Sequence, residues 1–144
     1  VFIYLPKNKG LKFKIIGNIN VSLKSNFSKY QNVIVTGKVK NLREVSKNAL
    51  CGICNVEVAT GLQNKILEYM SIGLPSIISE ISFNDEISKR NTTSLVYKNY
   101  KDLENKIFKL MSDTKLHKKL SIDAFKFSKK FKWNKTLKNY SKLI

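Results

Sequence analysis

Residues 51–79, CGICNVEVATGLQNKILEYMSIGLPSIIS, decide the fold. The stretch opens on an apolar run, CGICNV, that predicts a buried strand. A turn around Gly61 leads into a helix predicted over residues 62–71, and Gly73 directly after it suits a helix end. Residues 75–79 predict the next strand. The stretch therefore predicts a strand–turn–helix–strand unit, the repeating element of a parallel sheet.

The alternation of strands and helices continues towards the N-terminus. Residues 13–17 and 32–37 are apolar runs that each close on a glycine, and they predict two strands with a short helix between them over residues 21–29. Asn41 and Glu44 have the three-residue spacing of a capping box, which predicts a helix start. The apolar face of that helix is predicted from Leu42, Val45, Ala49 and Leu50.

Towards the C-terminus, a strand is predicted over residues 94–97, followed by two amphipathic helices. The first begins near Tyr100, the second is capped by Asp113 or Thr114, and a third short helix starts near Trp133. Their apolar faces are predicted from Leu103, Ile107, Leu110 and Met111 and from Leu116, Leu120, Ala124, Phe127 and Phe131. Apolar strands without polar alternation are typical of parallel sheets covered on both faces. The fold class is therefore predicted as α/β, a Rossmann-like doubly wound parallel sheet with a helical C-terminal tail.

The formal net charge is +17, and almost all of the cations are lysines, with Arg43 and Arg90 the only arginines. Compositional drift explains such a lysine excess, and an anionic partner is the alternative. Proteins that recognise nucleic acids usually rely on arginine and on aromatic platforms, so no specific nucleic acid is expected. Attraction to an anionic membrane surface is expected as a consequence of the charge. No apolar run is long enough to span a membrane. We predict a cytoplasmic protein that is peripheral on the inner membrane face.

Cys51 and Cys54 have the spacing of a redox pair or of half a zinc site. A zinc site needs two further ligands, and His117, the only histidine, is far away in a lysine-rich helix. A redox pair would start a helix, whereas these cysteines fall in a predicted strand. Both are therefore predicted to be small buried hydrophobes, and no metal is expected.

Ligands of an open α/β sheet bind outside the carboxyl ends of its strands, so the turns after Ile16, Val35 and Val56 are the candidates for a site. The third turn is the richest. Gly61 lets a ligand approach the backbone, and the helix that follows starts with its positive dipole end and its unpaired amides. Those amides, predicted at Leu62, Gln63 and Asn64, suit a pyrophosphate.

Two side chains extend this predicted anion site. Lys65 adds a mobile positive charge. Glu68 lies one helical turn beyond Asn64 on the same face, where a carboxylate can accept two hydrogen bonds from vicinal hydroxyls such as those of a ribose. The alternative interpretation is that Glu68 is an ordinary solvated helix residue.

Residues 61–78 resemble the signature of the group 1 (GT4-type) glycosyltransferases of the GT-B class: an acidic helix, small residues, a Gly-x-Pro and a β run. Three other segments are also similar to family motifs, and all four match in order and spacing. They are Ile15-Ile16-Gly17, Val35-Thr36-Gly37-Lys38-Val39 and Phe131-Lys132-Trp133. The resemblance covers most of the chain.

The resemblance implies that residues 1–144 are a donor-binding C-terminal domain, whose first strand–helix unit and N-terminal acceptor domain lie upstream. It implies transfer of a sugar from a UDP- or GDP-sugar, usually with retention, without a metal and with no cofactor. Glu68 matches the glutamate that binds the donor ribose, and the turn from Gly61 to Asn64 matches the diphosphate-binding turn. Gly17, Lys38 and Val39 fall where the family holds the nucleotide.

The chain departs from the family pattern at the first of two family glutamates, whose position is taken by Thr60. Glu57 lies three residues earlier, so Glu57 and Thr60 are the candidates for a catalytic role. The arginine and lysine that usually clasp the diphosphate lie upstream, so the chain alone is expected to bind donor weakly and to transfer nothing. The alternatives are a basic binding module for nucleic acid or anionic membrane, and an inactive glycosyltransferase-like scaffold.

Overall fold

The computed structural model describes residues 1–4, 10–56 and 63–131. Within these ranges the strands form one sheet, and α-helices flank it. The strands are β1 (Phe2–Tyr4), β2 (Lys12–Ile16), β3 (Val33–Gly37), β4 (Ala49–Cys54), β5 (Ser76–Ser79) and β6 (Ser94–Tyr97). The helices are α1 (Val21–Ser28), α2 (Leu42–Val45), α3 (Asn64–Ser71), α4 (Tyr100–Ser112) and α5 (Thr114–Ser128). Short 3-10 turns span Glu80–Ser82 and Lys129–Phe131.

The sheet has the order β3-β2-β1-β4-β5-β6. The pairs β2–β3, β4–β5 and β5–β6 are parallel, whereas the central β1 is antiparallel to both β2 and β4. Since β1 runs against both neighbours, β2 and β4 point the same way, and all strands except β1 have their carboxyl ends at one edge. The predicted Rossmann-like α/β class is confirmed. β1 was not predicted as a strand, and its antiparallel direction departs from the predicted parallel sheet. Residues 5–11, which separate β1 from β2, are fewer than the dozen or so that a parallel crossover needs.

The core lies on both faces of the sheet. Ile78 and Val96 face one side, where Ile66 and Met70 of α3 cover them. Ile77 of β5 and Leu95 of β6 face the other side. There they pack with Ile107 and Leu110 of α4. Because β5 and β6 are buried along their whole length, they lack polar alternation, which is why their sequence predicted a parallel sheet.

Short polar side chains start α1, α2, α4 and α5 by accepting a hydrogen bond from a backbone amide of the first turn. The Asn20 side chain accepts from the amide of Leu23 at 2.7 Å and begins α1. Asn99 begins α4 in the same way. For α5 the cap is Asp113, which accepts from the amide of Leu116 at 2.8 Å, and Thr114 is the first helical residue.

Two predicted boundaries were wrong around residues 42–56. Asn41 caps α2 as predicted, but the helix ends at Val45, and Ala49 and Leu50 belong to β4 instead of a helical face. Asn48, in the turn between α2 and β4, adopts the left-handed backbone conformation, with φ 63°. Ala49 then pairs with β1, so sheet pairing overrides the local helical period.

The predicted strand over residues 51–56 also differs, because β4 ends at Cys54. The helix predicted from residue 62 begins at Asn64. Gly73 ends α3 as predicted: it has φ 71°, and its amide donates to the carbonyl of Met70 at 3.0 Å. The predicted helix near Trp133 lies outside the described residues. Among the described helices, none combines the length and the apolar character that a membrane span needs.

Candidate functional site

The carboxyl ends of β2 and β3 bring two of the predicted site segments together. Gly17 directly follows β2 and has φ 122°, a conformation that favours glycine. Its amide donates to the carbonyl of Gly37, the last residue of β3, at 2.9 Å. Lys38 and Val39 come next, Lys38 exposed and Val39 half-buried. The segments around Gly17 and Lys38 are therefore neighbours at the carboxyl edge of the sheet.

The N-terminus of α3 is reached from the carboxyl end of β4. Gln63 precedes the helix, and its side chain makes no capping hydrogen bond. The first intrahelical bond runs from the amide of Ile66 to the carbonyl of Gln63 at 2.9 Å. The amides of Asn64 and Lys65 therefore have no partner within the helix. The helix starts at Asn64, later than its sequence pattern indicated, so the amide of Lys65 joins the predicted set of Leu62, Gln63 and Asn64.

Electrostatics favour an anion at this helix end. The first turn of α3 contains no acidic side chain, and Lys65 is exposed there. The positive end of the helix dipole adds to the charge of Lys65, and both act on the same region of solvent. A phosphate group next to the amides of Asn64 and Lys65 would meet donors and positive potential together.

The two faces of α3 have different roles. Ile66, Tyr69 and Met70 are buried against the sheet and fix the helix in place. Asn64 and Glu68 are exposed on the outer side, one helical turn apart, as their spacing predicted. Exposure makes the Glu68 carboxylate available to a ligand, and it is equally compatible with a solvated helix residue.

A tyrosine at the end of β6 holds the residue that follows β4. The hydroxyl of Tyr97 donates to Oδ1 of Asn55 at 2.6 Å. The ring of Tyr97 is buried, and burial raises the pKa of its hydroxyl, so the group remains a donor at neutral pH. This bond anchors the chain immediately before residues 57–62. The sequence did not predict this hydrogen bond, because Tyr97 and Asn55 are 42 positions apart.

Several predicted site residues lie outside the described residues. They are Glu57, Thr60, Gly61 and Leu62, together with Lys132 and Trp133 of the C-terminal motif. The roles of Glu57 and Thr60 stay predictions. The same holds for the contact of Gly61 with a ligand.

Both cysteines are free and buried in β4, as the apolar run predicted. Burial raises the pKa of the Cys51 thiol to about 12, so the thiolate that metal binding or redox chemistry needs is disfavoured. Within residues 1–4, 10–56 and 63–131, no group of three or more His, Cys, Asp or Glu side chains could hold a metal ion.

Comparison with known proteins places this geometry in a family. Residues 3–113 match the family model described as "Glycosyl transferases group 1". Among solved structures, the chain resembles TarM with a TM-score of 0.75 and 18% identity, over 95% of this chain and 29% of TarM. It resembles HepE from Anabaena in complex with UDP with a TM-score of 0.71 and 12% identity, over 81% of this chain and 35% of HepE.

A third structure is the C-terminal domain of the group 1 glycosyl transferase LpcC from Francisella tularensis, with a TM-score of 0.62 and 17% identity, over 78% of this chain and 62% of that chain. At these identities the likenesses show the fold, and the chain spans less than two thirds of each of these structures. A search of curated proteins returned no match. Because the family model covers most of the chain, this protein belongs to the group 1 glycosyl transferases.

Proposed function

We propose that this chain is the donor-binding domain of a retaining, metal-independent glycosyltransferase that uses a UDP- or GDP-sugar. The observation that carries the proposal is the N-terminus of α3, which follows the carboxyl end of β4. Its first amides have no partner within the helix, and its first turn contains no acidic side chain. Open α/β sheets bind ligands at this edge. The complex of HepE with UDP supports the choice of a nucleotide donor.

Each part of the donor has a proposed partner. The diphosphate lies against the amides of Asn64 and Lys65, and the side chain of Lys65 stabilises the charge that develops as the diphosphate leaves. The Glu68 carboxylate accepts hydrogen bonds from the ribose hydroxyls. Gly17, Lys38 and Val39 hold the base through their backbone. The sugar faces residues 57–60, where Glu57 and Thr60 are the candidates for contact with it.

Binding to the 144-residue chain is the first test. UDP, UMP and uridine are titrated into the labelled protein by NMR, and the shifts of Asn64 to Glu68 are followed. We expect UDP to bind more tightly than UMP, and UMP more tightly than uridine, because the helix end recognises phosphate. Equal affinities for UDP and uridine would overturn the role of α3.

A substitution at Asn64 separates the structural role of α3 from its role in binding. Asn64→Asp places a carboxylate at the positive end of the helix, which stabilises the helix by about 0.3–1 kcal/mol. The same carboxylate repels a diphosphate. We therefore expect the variant to unfold at higher urea concentration and to bind UDP at least tenfold more weakly, whereas a purely structural helix end would give the first effect alone.

Thr114→Asp is the matched control, because Thr114 is also the first residue of a helix without acidic residues in its first turn. It should stabilise the protein and leave UDP binding unchanged. For Glu68→Gln we expect roughly tenfold weaker UDP binding, since hydrogen bonds to a charged group contribute about 1.5–3 kcal/mol. Glu104→Gln on the exposed side of α4 is its control.

We also propose a cytoplasmic location at the inner face of a membrane. The support is the net charge of +17, since the cytoplasmic leaflet carries anionic lipids that attract basic proteins. Transfer of a sugar by the full-length protein decides between an active enzyme and an inactive scaffold. Unchanged transfer by the Thr60→Ala and Glu57→Ala variants would remove both residues as candidates.

A further inference from the structure

A basic groove lies at the amino ends of β4 and β5, at the edge of the sheet opposite the proposed donor site. It has a volume of about 610 Å³ and lies between α5, the residues that precede β4 and the residues that precede β5. Its floor is formed by the turn from Ile72 to Pro75. The hydroxyl of Ser121 on α5 donates to the carbonyl of Gly73 at 2.6 Å and fixes the helix against this floor.

The charged residues that line the groove are all cationic. Arg43 and Lys47 stand on one wall, and Lys126 and Lys129 stand on the other. All four are exposed, and none takes part in the three ion pairs found among the described residues. The nearest acidic residues along α2 and α5, Glu44 and Asp123, do not line the groove. The groove therefore presents four cations that no ion pair among the described residues neutralises.

Two apolar side chains are exposed among these cations. Ile122 is 43% exposed and Phe125 is 39% exposed, and both line the groove. The ammonium of Lys129 lies 4.9 Å from the centre of the Phe125 ring, so the charge and the apolar surface are adjacent. Lysines beside exposed aliphatic and aromatic groups are typical of surfaces that lie in a membrane interface, where the apolar groups enter the acyl boundary and the lysines meet the headgroups.

We propose that this groove docks the protein on a bilayer of anionic phospholipids, with Lys126 and Lys129 against the headgroups and Ile122 and Phe125 inserted below them. Charge complementarity identifies the occupant as anionic, and the exposed apolar pair favours a lipid surface over a nucleic acid. The inference rests on the proposed association with a membrane and is independent of donor binding.

Vesicle sedimentation tests the docking surface with the 144-residue chain. The vesicles contain equal parts of phosphatidylglycerol and phosphatidylcholine, and vesicles of phosphatidylcholine alone are the reference. We expect binding to the anionic vesicles that weakens steeply with added salt. Absence of binding to them would overturn both the groove and the proposed membrane association, while UDP binding would still stand or fall by its own titration.

Variants then locate the binding surface. Each lysine near an anionic membrane contributes about fivefold in affinity, so Lys126→Gln/Lys129→Gln should weaken vesicle binding about 25-fold. Lys24→Gln/Lys29→Gln on and after α1 removes the same charge away from the groove and should change binding only slightly. An equal loss in both double variants would mean that net charge alone drives binding, and it would overturn the groove.

The apolar contribution distinguishes a bilayer from other polyanions. Phe125→Ser should weaken vesicle binding about fivefold, because a partly exposed aromatic side chain loses its burial in the interface. Phe108→Ser on α4, where Phe108 is 51% exposed and does not line the groove, is the matched control. Tighter binding of a single-stranded RNA than of vesicles, with no effect of Phe125→Ser on either, would overturn lipid docking.

Discussion

Gly52 of β4 lies directly against the ring of Tyr69 on α3, and we expect its replacement by alanine to destabilise the protein. A Cβ atom at this position would lie 2.7 Å from Cδ2 and Cε2 of Tyr69 and 2.9 Å from its Cγ. The ring cannot simply move away. Tyr69 is buried, packs edge-on against Phe2 at a centroid distance of 5.4 Å, and donates from its hydroxyl to the carbonyl of Ile53 at 3.2 Å.

The expected cost follows from these contacts. Overpacking of a well-filled core costs about 1–3 kcal/mol. If the ring shifts enough to break the hydroxyl contact with Ile53, loss of that hydrogen bond adds about 0.5–1.5 kcal/mol. Gly52→Ala should therefore lower the free energy of unfolding by about 2–4 kcal/mol in urea titrations followed by circular dichroism.

The control and the rescue come from the same structure. Gly10→Ala meets no atom within 4 Å and should change stability by less than about 0.5 kcal/mol. Tyr69→Leu removes the ring that clashes, so the double variant Gly52→Ala/Tyr69→Leu should be more stable than the sum of the single effects predicts. A cost for Gly52→Ala no larger than that for Gly10→Ala, or strict additivity in the double variant, would refute the close contact between β4 and α3.

Three further predictions concern single groups. Tyr97→Phe removes the hydroxyl that anchors Asn55, and it should lower stability by about 1 kcal/mol in urea titrations and weaken UDP binding in calorimetry. Iodoacetamide should label neither Cys51 nor Cys54 in the folded protein and both in urea, as mass spectrometry can follow, because both thiols are buried. Hydrogen bonds from the Lys106 side chain and the Lys98 amide hold the pKa of Asp102 below its usual range. A depressed pKa stabilises the fold above the usual pKa of the group, so this contribution should be lost as pH falls below about 4, and Asp102→Asn should flatten the acid limb of the urea midpoint against pH.

The sequence predicted best where one local signal decided the structure. β6 and the start of α4 lie where predicted, because a short apolar run over residues 94–97 is followed directly by the amphipathic period of a helix. The prediction failed where pairing between distant segments decided. The spacing of Ala49 continued the helical period of residues 42–45, yet in the structure Ala49 pairs with β1. No local pattern indicates the direction of β1.

The candidate site divides in the same way. The exposed positions of Lys65 and Glu68 and the buried position of Ile66 follow from helical periodicity alone. The contact between Gly17 and Gly37 and the bond from Tyr97 to Asn55 join strands that are distant in sequence, so only the folded sheet reveals them. Periodicity therefore predicts which side chains are available to a ligand, and strand order determines which of them can meet.

The two proposed surfaces share one helix, α3. The N-terminus of α3 belongs to the donor edge, and its C-terminus passes through Gly73 into the floor of the basic groove. Buried Ile66 and Met70 pack the helix between these two ends against the sheet. The six residues of β4 span about 20 Å between the two edges. A bilayer against the groove would therefore face the edge of the sheet opposite the donor edge and would leave that edge open to a soluble nucleotide sugar.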